Sequence, residues 1–266
     1  MPVNGHLTTK TAIILAAGRG SRLGDLTSDR PKCLIEINGC PLIQYQVSAL
    51  RRAGISQIYV VAGYRASMLT SSEYSLIIND DWMNTNMVTS LLCAEKLLKT
   101  KSVIVSYSDI IYSSAIIAAL RQDSNDLAVA YDPNWLSLWR RRMEDPLQDA
   151  ETFNLDSNGY ITDIGSRPSQ YDQIAGQYMG LIHITPRGWE CVIATIRGRS
   201  SPLRAQLHMT ELLQLCITEE RVKIFGVPNE LPWCEIDTPE DLRVAEEITR
   251  SLYGQNSIET PRRNPL

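Results

Sequence analysis

Residues 15–32 read Leu-Ala-Ala-Gly-Arg-Gly-Ser-Arg-Leu-Gly-Asp-Leu-Thr-Ser-Asp-Arg-Pro-Lys, a set of residue types suited to gripping a polyphosphate. Gly18 and Gly20 let the backbone turn sharply and approach a ligand closely, where a β-carbon would obstruct. Exposed N–H groups along such a loop form a concave anion site, and Arg22 and Lys32 add positive charge where phosphate oxygens would lie. A plain glycine-rich turn between a strand and a helix is the alternative. The dinucleotide fingerprint fails here, because Leu23 stands where its third glycine belongs. The P-loop pattern fails on spacing, and no lysine follows Gly24. Far along the chain, Asp109 and Asp237 each follow a short apolar run. Ligands of an open parallel sheet gather beyond the carboxyl ends of its strands. Two carboxylates delivered there would suit Mg²⁺, which takes oxygen ligands and is often shared between protein carboxylates and substrate phosphates. Asp109 taken alone could also be an ordinary strand-end residue.

The elements that must carry these residues are legible as alternating strand and helix signals. Ala12–Leu15 is an apolar strand entering the glycine loop. Pro41 opens a helix through Arg52, with Leu42, Ile43, Val47 and Leu50 at helical spacing and Gly54 as its stop. Ile58–Ala62, Leu76–Ile78, Val103–Val105 and Asp126–Tyr131 read as strands, and Met87–Leu98 as a helix. Asn154–Ile164 reads as a hairpin around Asp156-Ser157-Asn158-Gly159, where the glycine accommodates positive φ. Gly180–Ile184 is a strand, Pro186–Ile196 and His208–Cys216 are helices, and Val222–Val227 and Trp233–Ile236 are strands. Thr238-Pro239-Glu240-Asp241 has the composition of a helix start with Thr238 as its N-cap. Alternation with short links predicts an α/β fold, doubly wound around a mostly parallel Rossmann-like sheet, with a smaller insertion around residues 132–180. Residues 11–254 are expected to form one domain, preceded by a flexible lead-in over 1–10 and followed by a tail over 255–266.

Composition narrows the partners. A chain of 266 residues, 44% hydrophobic, can bury a full core. A net charge of -4, with Arg140-Arg141-Arg142 as its one basic block, argues against nucleic acid. No apolar run reaches the roughly 18 to 20 residues of a membrane helix, and no secretory signal is expected from the first residues. The six cysteines are scattered without a C-x-x-C pair, which reads as reduced, mostly buried thiols and a cytoplasmic location. Three histidines, none paired at ligand spacing, make a histidine-rich metal site improbable.

Leu-Ala-Ala-Gly-x-Gly-x-Arg-Leu over residues 15–23, followed by Pro31-Lys32, resembles the nucleotidyltransferase family that activates sugar phosphates and small alcohol phosphates with a nucleoside triphosphate. The resemblance covers residues 11–110 well and 145–252 more loosely. It implies a nucleotide-binding half over 11–131, an acceptor-binding half over 132–254, and nucleotide contacts from Leu15, Ala16, Ala17, Gly18 and Gly20. It also implies Mg²⁺ as cofactor, held by Asp109 and Asp237. The family's common Gly-Asp pair is Ser108-Asp109 here, a departure, and Asp237 opens an Asp-x-Pro-x-Asp segment that ends at Asp241. The implied reaction is attack by a phosphate or phosphonate oxygen on the α-phosphorus, expelling pyrophosphate. That nucleophile is already anionic, so positioning and charge neutralisation would carry catalysis. Arg22 would meet the β- and γ-phosphates, and Lys32 would lie between the α-phosphate and the incoming group.

Asn84-Thr85-Asn86-Met87-Val88-Thr89-Ser90-Leu91 resembles the Asn-x-Asn-x-x-x-Ser-Leu segment of phosphocholine cytidylyltransferases. That points to CTP, with Asn84, Asn86 and Ser90 near the nucleotide; asparagine offers donor and acceptor together, as a cytosine edge requires. Helix capping is the other use for these asparagines. Residues 145–152 and 176–180 resemble the acceptor side of phosphocholine and aminoalkylphosphonate cytidylyltransferases. Trp135, Trp139, Glu144, Asp149, Glu151 and Tyr178 are the aromatic and acidic pieces available for an ammonium group, although tryptophan and tyrosine also fill cores. Arg140–Arg142 could instead read an acidic acceptor. The expectation is a Mg²⁺-dependent cytidylyltransferase, monomer or homodimer, acting on a small phosphorylated or phosphonate amino-alcohol. A sugar-1-phosphate nucleotidyltransferase using UTP, dTTP or GTP, and a non-catalytic nucleotide-sensing subunit, are the alternatives.

Overall fold

A computed structural model of the chain describes residues 9–254. The expected tail and the lead-in up to residue 8 lie outside the described residues. Thr9 and Lys10 are already tied in: Thr9 Oγ1 lies 3.0 Å from His183 Nε2, and the Lys10 carbonyl accepts the N–H groups of Ser56 and Gln57.

Seven strands form the central sheet, in the order Phe225–Pro228, Leu127–Asp132, Gln177–Ile184, Val103–Tyr107, Thr11–Ala16, Gln57–Ala62, Ser75–Ile78. Four of the pairings are parallel; the two that flank Gln177–Ile184 are antiparallel. Every residue of the Thr11–Ala16 strand is buried, because side chains alternate between two covered faces. Ala12, Ile14 and Ala16 enter one core with Leu42, Ile43, Ile116, Val244 and Ile248. Ile13 and Leu15 enter the other with Leu91, Trp189, Val192 and Leu212. Helices therefore cover both faces, giving the doubly wound, mostly parallel α/β fold expected. Four of the six cysteines are buried thiols, with Cys93 exposed and Cys191 partly so. Among the described residues no helix is long and apolar enough to cross a membrane.

Three local expectations change. The Met87–Leu98 helix is two pieces, Met87–Leu92 and Glu95–Leu98, joined where the Ala94 N–H reaches the Leu91 carbonyl three residues back and tightens the turn. Leu91, Ala94 and Leu98 still share one core, so the apolar periodicity outlived the break. The Trp233–Ile236 run contributes only Cys234–Glu235, paired antiparallel with Ile110–Ile111 outside the central sheet. Thr238 does not cap the final helix, which starts at Asp241. The Asp241 carboxylate, at the helix start, instead accepts the backbone N–H groups of Asp237 (2.8 Å) and Thr238 (2.9 Å) in the segment before the helix. The hairpin falls where expected, with Phe153–Leu155 against Ile161–Ile164 and Gly159 at φ 83°.

Candidate active site

The glycine loop leaves the end of the Thr11–Ala16 strand and folds back over Lys32. Gly20 sits at φ 74°, and its carbonyl accepts from the Leu23 N–H and from Thr27 Oγ1. A β-carbon at Gly20 would stand 2.8 Å from Lys32 Cδ and 2.9 Å from Lys32 Cβ. The loop backbone thus rests on the lysine's aliphatic stem, a close approach that only glycine permits. At Gly18 a β-carbon would meet nothing within 4 Å. Leu15, Ala16 and Ala17 are buried beneath the loop.

Two separate strand ends bring the carboxylates together. Asp109 follows the central Val103–Tyr107 strand. Glu235 pairs across from Ile110, and the Ile236 N–H donates to the Asp109 carbonyl at 2.9 Å, which fixes the two segments side by side. Alternation then sends Cys234 and Ile236 into the core and leaves Glu235 and Asp237 on the other face. Lys32, 8% exposed, places Nζ 2.9 Å from Asp109 Oδ2 and 2.6 Å from Asp237 Oδ1, and Arg22 donates to the same Asp237 oxygen at 2.9 Å. Asp109, Glu235 and Asp237 each offer an oxygen within 4.8 Å of the others.

The electrostatics follow from that crowding. Burial alone would lower the Lys32 pKa, but Asp109, Asp237 and Glu235 raise it instead. Burial, then the neighbouring charges of Asp237 and Asp109, pushes the Glu235 carboxyl well above its ordinary range. Burial alone would raise Asp237 as well, yet Lys32 and Arg22 hold it below the usual carboxylate value. Asp109 Oδ1 is buried and has no hydrogen-bond partner among the described residues. An oxygen without a donor, in a set made only of carboxylates, fits a hard divalent cation such as Mg²⁺.

A cleft of about 200 Å³ is lined by Arg22, Glu235 and Asp237 among others. Four of the expected acceptor residues, Trp139, Asp149, Glu151 and Tyr178, line it. Glu151 is braced, with its backbone held by the Gln177 amide at 3.2 and 2.5 Å and its carboxylate taking the Thr210 hydroxyl at 3.3 Å. Burial raises the pKa of Glu151. Trp135 and Glu144 are placed elsewhere. Trp135 is 4% exposed, donates its indole N–H to the Ile174 carbonyl, and packs edge-on to Trp139, while Glu144 is on the surface. The Asn84–Ser90 segment is occupied internally as well. Asn86 caps the Met87–Leu92 helix and reaches the Gln206 carbonyl and His208 Nε2. Asn84 donates to Asp81, and Ser90 accepts from Asn79. Glu235, His208 and Thr210 were not among the expected site residues, and Gln177 belongs to the 176–180 segment that resembles an acceptor side. For Glu235 the signal was present, two residues before Asp237 in a strand-like run.

Comparison with known proteins bears on the family and the fold. A family model described as the MobA-like NTP transferase domain matches residues 12–159. A CTP:phosphoglutamine cytidylyltransferase of Campylobacter jejuni is 36% identical over 252 residues, spanning 89% of this chain and 99% of its own length. A 2-aminoethylphosphonate cytidylyltransferase of Lancefieldella rimae is 30% identical over 180 residues, 65% of this chain and 68% of that protein. Among solved structures, the inositol-1-phosphate CTP transferase of T. maritima superposes with a TM-score of 0.70 at 22% identity, covering 92% of this chain and 98% of the other, a likeness of fold.

Proposed function

This chain belongs to the MobA-like NTP transferase family, and we propose that it transfers CMP from CTP to a small acceptor carrying a phosphate or phosphonate and an ammonium group, releasing pyrophosphate. It is a nucleotidyltransferase by family, and the two relatives described above are named cytidylyltransferases. The observation that carries the finer reading is one cleft lined by Arg22, Glu235 and Asp237 together with Asp149, Glu151, Trp139 and Tyr178. Carboxylates beside aromatic faces are a receptor for an ammonium head group. The names of the two relatives point the same way, since phosphoglutamine and 2-aminoethylphosphonate both join nitrogen to phosphorus chemistry.

Asp109, Glu235 and Asp237 would hold Mg²⁺, which when bound neutralises phosphate charge and orients the oxyanions. The open backbone at Gly18 receives the triphosphate. Arg22, 64% exposed, is free to turn from Asp237 toward the β- and γ-phosphates of the leaving group. Lys32, stiffened by Gly20 against its stem, brings its ammonium to the oxygens around the α-phosphorus and offsets charge as the fifth bond forms. Glu151 and Asp149 hold the acceptor's cationic end, so its phosphate or phosphonate oxygen points back toward Lys32. That oxygen is anionic, and none of these residues has to remove a proton from it.

The test crosses CTP, UTP, dTTP and GTP with 2-aminoethylphosphonate, phosphocholine, phosphoglutamine and glucose 1-phosphate, following pyrophosphate. Product from CTP with an ammonium-bearing acceptor is expected. Product only from UTP or dTTP with the hexose phosphate would replace this reading by sugar-nucleotide synthesis. Nucleotide binding without any turnover would favour a sensing subunit.

A further inference from the structure

The three consecutive arginines at 140–142 are not alike. Arg140 and Arg141 are exposed, whereas the Arg142 side chain is 1% exposed and lies behind the wall of the cleft. Its Nε and Nη2 fork onto the two oxygens of Asp241 at 2.8 and 3.3 Å. Its remaining nitrogen, Nη1, has no hydrogen-bond partner among the described residues and stands 3.8 Å from Asp149 and 3.9 Å from Glu235. Its guanidinium covers the Trp139 ring at 5.0 Å. Asp241, equally buried, passes the restraint on by accepting the backbone N–H groups of Asp237 and Thr238.

We propose that Arg142 and Asp241 form a positioning pair that sets the spacing of Glu235 and Asp237 and ties it to the acceptor wall at Asp149 and Trp139. Arg142 faces the segment at two points, the Glu235 carboxylate directly and the Asp237 N–H through Asp241. A buried guanidinium can do this because its donors form a rigid planar fork, which a lysine lacks. The ring that Arg142 covers and the Asp149 carboxylate it faces both line the cleft. A displacement at the acceptor end is thereby felt where the metal carboxylates stand. The pair touches neither phosphate nor acceptor, so it acts through Glu235 and Asp237.

The kinetic part of this inference rests on the cytidylyltransferase reading; its binding part does not. The experiment compares wild type with Asp241→Asn and Arg142→Lys, measuring Mn²⁺ binding by electron paramagnetic resonance without nucleotide, together with kcat, both KM values and the melting temperature. Asp241→Asn keeps an oxygen for the two backbone donors and loses the charge that anchors Arg142, so the fold is expected to persist. Mn²⁺ affinity at least about fivefold weaker and kcat at least about tenfold lower are expected, with the KM for CTP within about threefold. Arg142→Lys is expected to show the same pattern, with a rise in acceptor KM added. Wild-type Mn²⁺ affinity in a folded Asp241→Asn protein would overturn the proposal. So would losses that vanish once activity is scaled to the folded fraction. Absence of any turnover in the wild type would refute the reaction and leave the Mn²⁺ comparison to decide the positioning pair.

Discussion

Gly20→Ala isolates the contact between the loop and the lysine. Gly20 occupies φ 74°, where an L-residue costs about 1–2 kcal/mol. The new methyl group would also stand 2.8–3.1 Å from three carbons of the Lys32 stem, so the stem must retreat. Alanine's smaller unfolded-state entropy returns somewhat less than about 1 kcal/mol, and with the cost of displacing the stem added the net loss is about 1–2 kcal/mol. In a domain of this size that is a melting point lower by about 2–8 °C. The effect on rate is larger, because Lys32 Nζ is held between carboxylates at 2.6 and 2.9 Å and has little room to move. A misplacement of about 1 Å at a reacting centre can cost about a hundredfold, so turnover is expected to fall about 10- to 100-fold. Gly18→Ala is the matched control for stability alone, since its methyl group meets nothing in the chain and its stability should stay within about 0.5 kcal/mol of wild type, while its place at the triphosphate loop lets its turnover change. Scanning calorimetry and pyrophosphate release at saturating substrates read both variants. Gly20→Ala turning over within twofold of wild type would refute the idea that this contact holds Lys32.

Asp109→Asn and Asp237→Asn should each lower turnover at least about a hundredfold by weakening cation placement, checked by single-turnover rates across a Mg²⁺ series. Lys32→Met should abolish turnover and alter the acid stability profile. Asp237 is held below its ordinary range partly by Lys32, so its contribution is present above the unfolded carboxylate value near about 4 and is lost as pH falls through the lower folded value. The gap in melting temperature between wild type and Lys32→Met should therefore be widest at neutral pH and close below about pH 4. Glu235 has the opposite sign: its folded pKa is raised, so stability is full below the unfolded value and falls as pH rises through the folded one. Glu235→Gln in EDTA at pH 8 should melt about 2–4 °C higher, equivalent to about 1 kcal/mol, with no gain near pH 4, while its turnover drops. Glu151→Gln should raise the acceptor KM about tenfold or more and leave the KM for CTP near wild type, as initial-rate kinetics would show.

Much of the site was legible because its chemistry is written in residue types at short range. The glycine loop and Asp109 follow ends of central-sheet strands recognisable by apolar runs, Asp237 follows a short apolar run of its own, and Lys32 is marked by the Pro31-Lys32 of the family pattern. Glu235 carried a signal two residues before Asp237, but what sets it beside Asp109 is pairing with Ile110, more than a hundred residues earlier, in a ladder too short to show a period. Arg142 was hidden for a related reason. Its burial follows from a partner 99 positions away, and nothing local distinguishes it from Arg140 or Arg141. Trp135 and Trp139 share one helix, yet only Trp139 lines the cleft, a difference set by how that helix packs. Asn86 illustrates two uses competing for one side chain, and its amide is engaged at the helix cap. The break at Cys93–Ala94 left no trace in the apolar pattern because both pieces keep the same face buried.

Isothermal titration of the purified chain with nucleoside triphosphates, with and without Mg²⁺ and repeated on Asp109→Asn, tests the central claim most directly. CTP should bind with an affinity that Mg²⁺ strengthens at least about tenfold in the wild type and not in the variant, and should bind more tightly than UTP, GTP or dTTP. Equal affinity for all four nucleotides, indifferent to Mg²⁺ and to Asp109, would contradict it.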